Sequence, residues 1–520
     1  MEEVSDVVST GPARGVRILA WFGLIIIVGT MVAVIVGFLI GSDDPRGDPG
    51  RREEALVERP SDLVIPAISD VTAEWGLDEW RTVGLDPLRG GVTLHDLDGD
   101  GDLDLVVAGG TLGLFEWDGD RFHQREAPDL GDVISVHVGD VDRDGTPDLL
   151  VGMTNGATVA WGRDWFDAAD APITRLDVGG IVTGVVPVAL GGASEVELLV
   201  LGYGGAEATP DLLISMTGRE PGAVVELPGS TRKSMVAEIA DIDDDGLADI
   251  WVGRDVGWAT GADSLYSRQG DATGPWIDVA ATLGTDLAID AMGLTIADLN
   301  NDARLDAYVS DLGDNELLIR GDTGFETRFD SGAARIRSAG APDNEISRSW
   351  GSGAADINLD GRLDLVVVNG GFDEISVQNK VVNTFILGDD PPAILLGTSD
   401  GQFYDAWVDV GFAWAGRSRG LSLGDIDGDG DTDMIVVDHG GGMHALRNDV
   451  EAVGTVVSGV PGCLADGSLI VFSEDNRTWS VPVHQQSFLG AHAPEVVVPQ
   501  GASLRGQWQH TALSCPASEV

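Results

Sequence analysis

Six times along the chain, aspartate or asparagine occupies positions 1, 3, 5 and 9 of a nine-residue stretch that runs straight into apolar residues. The first copy sits in HDLDGDGDLDLVV (95–107), where Asp96, Asp98, Asp100, Asp102 and Asp104 stand at every second position. Carboxylates this close repel one another, and a strand-like tail cannot fold beside them unless something cancels the charge. The other copies are DVDRDGTPDLLVG (140–152), DIDDDGLADIWVG (241–253), DLNNDARLDAYVS (298–310), DINLDGRLDLVVV (356–368) and DIDGDGDTDMIVV (425–437).

The shared pattern, D-x-[DN]-x-D-G-x-x-D, suits a hard cation that takes oxygen ligands. Side chains at positions 1, 3 and 5 of a curled loop converge, and glycine at position 6 permits a sharp turn at positive φ. Position 7 offers a carbonyl and the aspartate at position 9 closes the shell. The candidate ligands are therefore Asp96, Asp98, Asp100, Asp102 and Asp104 in the first loop, and Asp140, Asp142, Asp144, Thr146 and Asp148 in the second. They continue as Asp241, Asp243, Asp245, Leu247 and Asp249, then Asp298, Asn300, Asp302, Arg304 and Asp306. The last two sets are Asp356, Asn358, Asp360, Arg362 and Asp364, and Asp425, Asp427, Asp429, Asp431 and Asp433. Calcium accepts six to eight oxygens in flexible geometry and is the expected ion, at about six structural sites. An EF-hand is excluded: position 12 of the first loop is Val107, not glutamate, and the flanks are strand-like. The copy at 298–306 departs from the pattern, with Asn300 for a carboxylate and Ala303 for the glycine, which would cost on the order of 1 kcal/mol at positive φ.

The spacing of the loops reveals a further unit. The gap from 140 to 241 is about twice the first gap, and VVPVALGGASEVELLVLG (185–202) has the same strand–turn–strand outline. Its ligand positions read Ala189, Gly191, Ala193 and Glu197, so no ion is expected there. Seven units of short strands and Gly-rich turns point to an all-β, seven-bladed propeller over residues 61–449. ISDVTAEWGL (68–77), ahead of the first unit, matches WIDVAATLG (276–284), ahead of the fifth. Each is expected to serve as the outer strand of the preceding blade, so residues near 68 would complete blade 7 and close the ring.

These units resemble the FG-GAP/VCBS repeats of integrin α-chain propellers. DVTAEWGL, MGLTIADLNNDARLDAYVSDLGDNELL (292–318) and RGLSLGDIDGDGDTDMIVV (419–437) are similar more specifically to the cartilage acidic protein (ASPIC/UnbV) family. The resemblance implies an extracellular, calcium-loaded propeller without a settled activity. GSLIVFSEDNRTWSVPVHQQSFLGAHAPEVVVPQG (467–501) is similar in layout to that family's small β-rich C-terminal module, giving a degenerate module over 450–520.

Residues 18–41, ILAWFGLIIIVGTMVAVIVGFLIG, carry no charge and are long enough to cross a bilayer as a helix. No small-residue cleavage site follows, so the expectation is an uncleaved anchor, with residues 1–17 cytoplasmic, 42–60 a polar stalk and the rest extracytoplasmic. The net charge of −55 excludes nucleic acid as a partner and favours cations or a basic surface. Cys463 and Cys515, both near the C-terminus, leave open a single disulfide or two separate thiols.

Catalytic signals are weak. GLSLG (420–424) fits a nucleophile-elbow pattern, but Ser422 would lie on a strand feeding a metal loop with no helix after it. RGD at Arg46–Asp48 and at Arg320–Asp322 is expected by chance in so Gly- and Asp-rich a chain. The histidines show no paired metal-ligand spacing. Recurrent tryptophans, such as Trp161, Trp251 and Trp350, suit inter-blade packing, while Trp414 with Arg417 and Arg419 is a candidate ligand-binding segment. The leading expectation is a surface binding or adhesion module for a protein or polysaccharide. The alternatives are a polysaccharide lyase or hydrolase and an envelope-complex scaffold.

Overall fold

The computed structural model describes residues 57–450 and strand segments between 454 and 504. Left out within the first range are 83–87, 163–164, 167–170, 189–195, 205–208, 232, 244, 271–273, 335, 337–347, 372–388 and 412–413. The apolar segment 18–41 and both cysteines lie outside the described residues, among which no helix is long and apolar enough to cross a membrane.

Seven antiparallel sheets stand around a common axis, each with four propeller strands, and in six of them the strands run in sequence order from the axis outward. Blade 1 comprises Gly91–His95, Asp104–Ala108, Leu112–Trp117 and Phe122–Arg125. Blades 2 to 6 repeat this order, with innermost strands Val133–Gly139, Ile181–Val188, Ser234–Ala240, Ala291–Ala297 and Ser349–Ala355. The unit expected between the second and third loops is blade 3, built of Ile181–Val188, Val196–Gly204, Leu212–Thr217 and Glu220–Glu226. Its turn 189–195, with Ala189, Gly191 and Ala193, lies outside the described residues.

Blade 7 draws three strands from the end of the repeat, Ser418–Gly424, Asp433–Asp438 and Met443–Asn448, and its outermost strand from the start, Ile68–Asp70. Ile68 pairs with Asn448 and Asp70 with Leu446, so the ring closes as the sequence led us to expect. Val71–Leu77 then turns back with Trp75 against Trp117 and Phe122 of blade 1, ring centroids 5.1 and 6.4 Å away. The matching segment ahead of the fifth unit does the same work: Trp276–Asp278 is the outer strand of blade 4.

The core lies between blades. The second strands are apolar on both faces, as in Asp104–Ala108 and Asp364–Asn369, whose residues are all buried, because each blade packs against a neighbour on either side. Between the innermost strands, side-chain hydroxyls supply several of the links from blade to blade. Thr93 Oγ1 donates to the Val136 carbonyl, and Thr183 Oγ1 to that of Ser234. Thr295 Oγ1 lies 2.8 Å from Ser352 Oγ, and Ser422 Oγ accepts the Leu94 N–H across the seam between blades 7 and 1.

Beyond residue 450 the chain forms short strands. Gly454–Ser458 pairs with Glu495–Pro499, and Ser468–Phe472 pairs with Thr478–Pro482 and Ser503–Leu504. Between them a small hairpin, Gln486–Ser487 with Gly490–Ala491, runs into the ring. Ala491 pairs in parallel with Thr93 on the innermost strand of blade 1. The hairpin also lies against the innermost strands of blades 2, 4, 5, 6 and 7, so it fills the axis of the propeller.

Candidate metal centres

Each acidic stretch is the turn between the first and second strands of its blade, and the six described copies share one internal bonding scheme. The aspartate at position 1 caps the loop from within. Asp140 takes the N–H groups of Asp144 and Gly145 at 3.0 and 2.9 Å, and Asp298 those of Asp302 and Ala303 at 2.9 and 2.8 Å. Position 3 accepts from position 5, and position 5 from position 7, as in Asp142 to Asp144 to Thr146. Both oxygens of Asp140 and Asp298, and one oxygen each of Asp142 and Asp144, are thus held in place by backbone N–H groups. In four loops the carboxylates at positions 1, 3 and 9 bring ligand atoms within 4.8 Å of one another: Asp96, Asp98 and Asp104; Asp140, Asp142 and Asp148; Asp241, Asp243 and Asp249; Asp425, Asp427 and Asp433. The loops at 298 and 356 have the same fold, with the amides of Asn300 and Asn358 at position 3, each accepting the N–H of position 5.

Two features of the scheme escaped the sequence reading. Position 2 is a buried apolar peg in every loop: Leu97, Val141, Ile242, Leu299, Ile357 and Ile426. Its N–H donates to the aspartate at position 9. In five loops that aspartate's other oxygen takes an N–H at or just past the end of the third strand: Trp117, Gly162, Arg320, Gly397 and Asn448. Position 9 is therefore a clasp joining loop, second strand and third strand. In the 241 loop, Asp249 Oδ2 takes the N–H groups of both Ile242 and Asp243.

Position 4 also adopts positive φ. Glycine holds it in the first and last loops, but Arg143, Asn301 and Leu359 take it at 60°, 60° and 54°. Position 6 is positive throughout, from 83° at Gly361 to 101° at Gly101, and Ala303 adopts 68° as its replacement of glycine requires. The loop geometry thus prevails over the residues' own preferences at four positions.

The electrostatics fit a cation. Burial pushes the position-9 carboxyls up, with neighbouring carboxylates adding to the effect: Asp104 and Asp306 to about 8, and Asp148 and Asp249 to about 7. Asp364 and Asp433 are raised well above the ordinary carboxylate range for the same reasons. Asp427 Oδ1 and Asp431 Oδ1 are buried oxygens to which no group among the described residues donates. Convergent, desolvated, acceptor-only oxygens without a donor match what a hard divalent ion requires. In blade 3, by contrast, the residue at position 9 is Glu197, which pairs with Arg268 of blade 4 at 3.5 Å.

The other singled-out residues are structural. Ser422 is fully buried in the middle of an inner strand. Arg419 corrects the expectation of a ligand-binding segment: it is fully buried, stacked 3.6 Å from the Trp350 ring, and donates to the carbonyls of Gly370, Ser418 and Gly371. Trp414 lies against His444 at 4.1 Å, and Arg417 pairs with Asp389 at 3.0 Å. Arg320 of the second RGD is buried over Phe325, while Asp322 pairs with Arg304, so the tripeptide is not presented as a unit. The stalk copy lies outside the described residues.

Residues 96–151, the first loop through the second strand of blade 2, match the family model of the FG-GAP-like repeat. Cartilage acidic protein 1 of Xenopus tropicalis is 25% identical over 429 residues, covering 74% of this chain and 62% of that protein. The chain therefore spans a little over three fifths of that relative's length. Among solved structures, BBS1N in complex with ARL6DN is 14% identical over 72% of this chain and 99% of its own, with a TM-score of 0.43. A lectin of Agrocybe aegerita, described as recognising non-reducing terminal N-acetylglucosamine, is 14% identical over 71% of this chain and 91% of its own, with a TM-score of 0.38.

Proposed function

We propose that this propeller of FG-GAP-like repeats is a calcium-loaded binding or adhesion module, held at the outer side of a membrane by residues 18–41 and directed at a protein or polysaccharide. The observation that carries the reading is the loop scheme itself. Four turns bring carboxylates at positions 1, 3 and 9 together within 4.8 Å, two more share their fold with an asparagine at position 3, and the position-9 aspartates are buried at a cost that a divalent ion removes. The residues at positions 1, 3, 5 and 9, with the carbonyl at position 7, would hold the ion. Its role is structural: it neutralises the turn and fixes the edge of each blade.

Binding, not chemistry, is the function this architecture supports. The axis is filled by the hairpin 486–491, which leaves the loop faces and outer blade edges as the surfaces open to a partner. An excess of 55 negative charges favours a basic partner surface, or one bridged by bound cations. Resemblance to cartilage acidic protein 1 supports an extracellular setting, where calcium is plentiful. The test is thermal unfolding in millimolar calcium and in chelator, paired with capture of partners from membranes under both conditions. A large rise in melting temperature with calcium and calcium-dependent capture are expected. An unchanged melting temperature after chelation would remove the basis of the proposal.

A further inference from the structure

The second loop carries a cation of its own, supplied by the next blade. Arg219 lies in the tight turn between the third and fourth strands of blade 3, after Gly218 at φ 57°. Its Nε donates to Asp142 Oδ2 at 2.5 Å and its Nη2 to Asp144 Oδ2 at 3.1 Å. These are positions 3 and 5 of the metal loop in blade 2. The other oxygen of each already accepts a backbone N–H, from Asp144 and Thr146.

The arginine is held for this task. Its guanidinium sits 5.3 Å from the Trp161 ring, Thr174 Oγ1 donates to its carbonyl at 3.1 Å, and Trp161 Nε1 donates to Thr174 Oγ1 at 2.9 Å. Trp161 and Thr174 both belong to blade 2, so that blade holds the arginine through these contacts as well as through its loop. One blade on, where the acidic motif is lost, an arginine again reaches back across the seam: Arg268 of blade 4, 4.2 Å from the Trp276 ring of its own blade, pairs with Glu197 of blade 3. In blade 3 an arginine pairs with the position-9 residue of a unit that lacks the ion ligands. In blade 2 an arginine and a complete set of ion ligands coexist.

We propose that Arg219 is a built-in competitor for the blade 2 cation. In the ion-free protein the guanidinium occupies Asp142 and Asp144. A divalent ion entering between Asp140, Asp142 and Asp148 must recruit oxygens that the arginine holds, against the repulsion of its charge. This loop then binds its ion more weakly than it would without the arginine, and filling it releases the turn Thr217–Glu220. That turn feeds Glu220–Glu226, an outer strand exposed along its whole length, with Val224 and Val225 58% and 46% exposed. Calcium concentration would thereby set the mobility of one blade edge while the other loops stay loaded.

The proposal rests on the reading of the loops as calcium sites, and the test separates the two. Calcium titration by calorimetry of the chelator-stripped full-length chain is compared with that of Arg219→Gln. The substitution is expected to tighten one site by roughly tenfold, the effect of removing one positive charge a few ångströms from a divalent ion at a half-exposed position. In an Asp140→Asn background the tightening should vanish. Amide exchange across 217–226 should rise with calcium in the parent chain and be high and calcium-independent in Arg219→Gln. Calcium binding by neither chain overturns the underlying reading. Binding that Arg219→Gln leaves unchanged, tightening that survives Asp140→Asn, or exchange at 217–226 indifferent to calcium in the parent overturns the role of Arg219.

Discussion

Asp104→Ala separates the mechanical role of position 9 from its role as a ligand. Asp104 is buried and accepts the N–H groups of Leu97 and Trp117 at 2.9 and 3.0 Å, both residues being buried themselves. Alanine leaves two buried donors without an acceptor, at about 1–3 kcal/mol each. Partial water entry at the loop brings the total to about 2–4 kcal/mol. The assay is amide exchange in chelator at pH 6, where a carboxyl pushed up to about 8 is already protonated and its removal relieves no buried charge. Exchange at Leu97 and Trp117 should speed up by about 30-fold or more, since each 1.4 kcal/mol is a factor of ten. Asp100→Ala is the control. Asp100 is exposed and its one backbone partner outside itself is the Asp102 N–H, so in chelator its loss should change stability by less than about 0.5 kcal/mol. In calcium it should lose the ion's linkage contribution, about 2.7 kcal/mol at a hundredfold excess over the dissociation constant. If the Leu97 and Trp117 amides stay protected in Asp104→Ala under chelation, position 9 is a ligand and no clasp.

Three further outcomes follow from the geometry. In chelator, stability should fall between pH 5.5 and 8, because Asp104, Asp148, Asp249 and Asp306 titrate at about 7–8 when folded and near 4 when unfolded; the folded state holds their protons over that interval and has lost the advantage above it. With saturating calcium the trend should reverse, since protons compete for the ligands, and parallel melting curves across pH would contradict the assignment. Ala303→Gly relieves a left-handed backbone at an exposed side chain and should raise stability by about 0.5–1 kcal/mol in denaturant unfolding, a loss counting against strain at position 6. Trp75→Ala removes a buried indole from the ring seam and should cost about 3–5 kcal/mol by the same measurement, as much as a core residue inside a repeat.

The blade count, the closing strand and the loop positions were legible because each rests on periodicity, and a period survives substitution. Blade 3 could be placed even without its aspartates, from the apolar outline and the doubled gap alone. Position 4 was not legible: arginine and leucine give no sign that Arg143 and Leu359 turn left-handed, because the surrounding hydrogen bonds impose that conformation. The clasp was hidden for a related reason, since an aspartate that ligates and one that accepts two N–H groups are the same letter. Position 2 was visible as a recurring Leu, Val or Ile and could have been read as a peg. Arg219 and Asp142 are 77 residues apart, and no local pattern links them. Arg419 was misjudged because charge suggests a surface, whereas the gap between blades 6 and 7 offers it an indole and a row of carbonyls.

The seam between blade 7 and the strand Ile68–Asp70 has a mechanical corollary. Residue 68 enters beside residue 448, and the Asp449 N–H bonds to the Ala67 carbonyl at the same end of the pair. Tension between these two points peels the strands apart one bond at a time, the low-force geometry, instead of shearing several bonds at once. The pair that completes the circle thus yields more readily to a pull applied at Ala67 and Asp449 than to one directed along its strands.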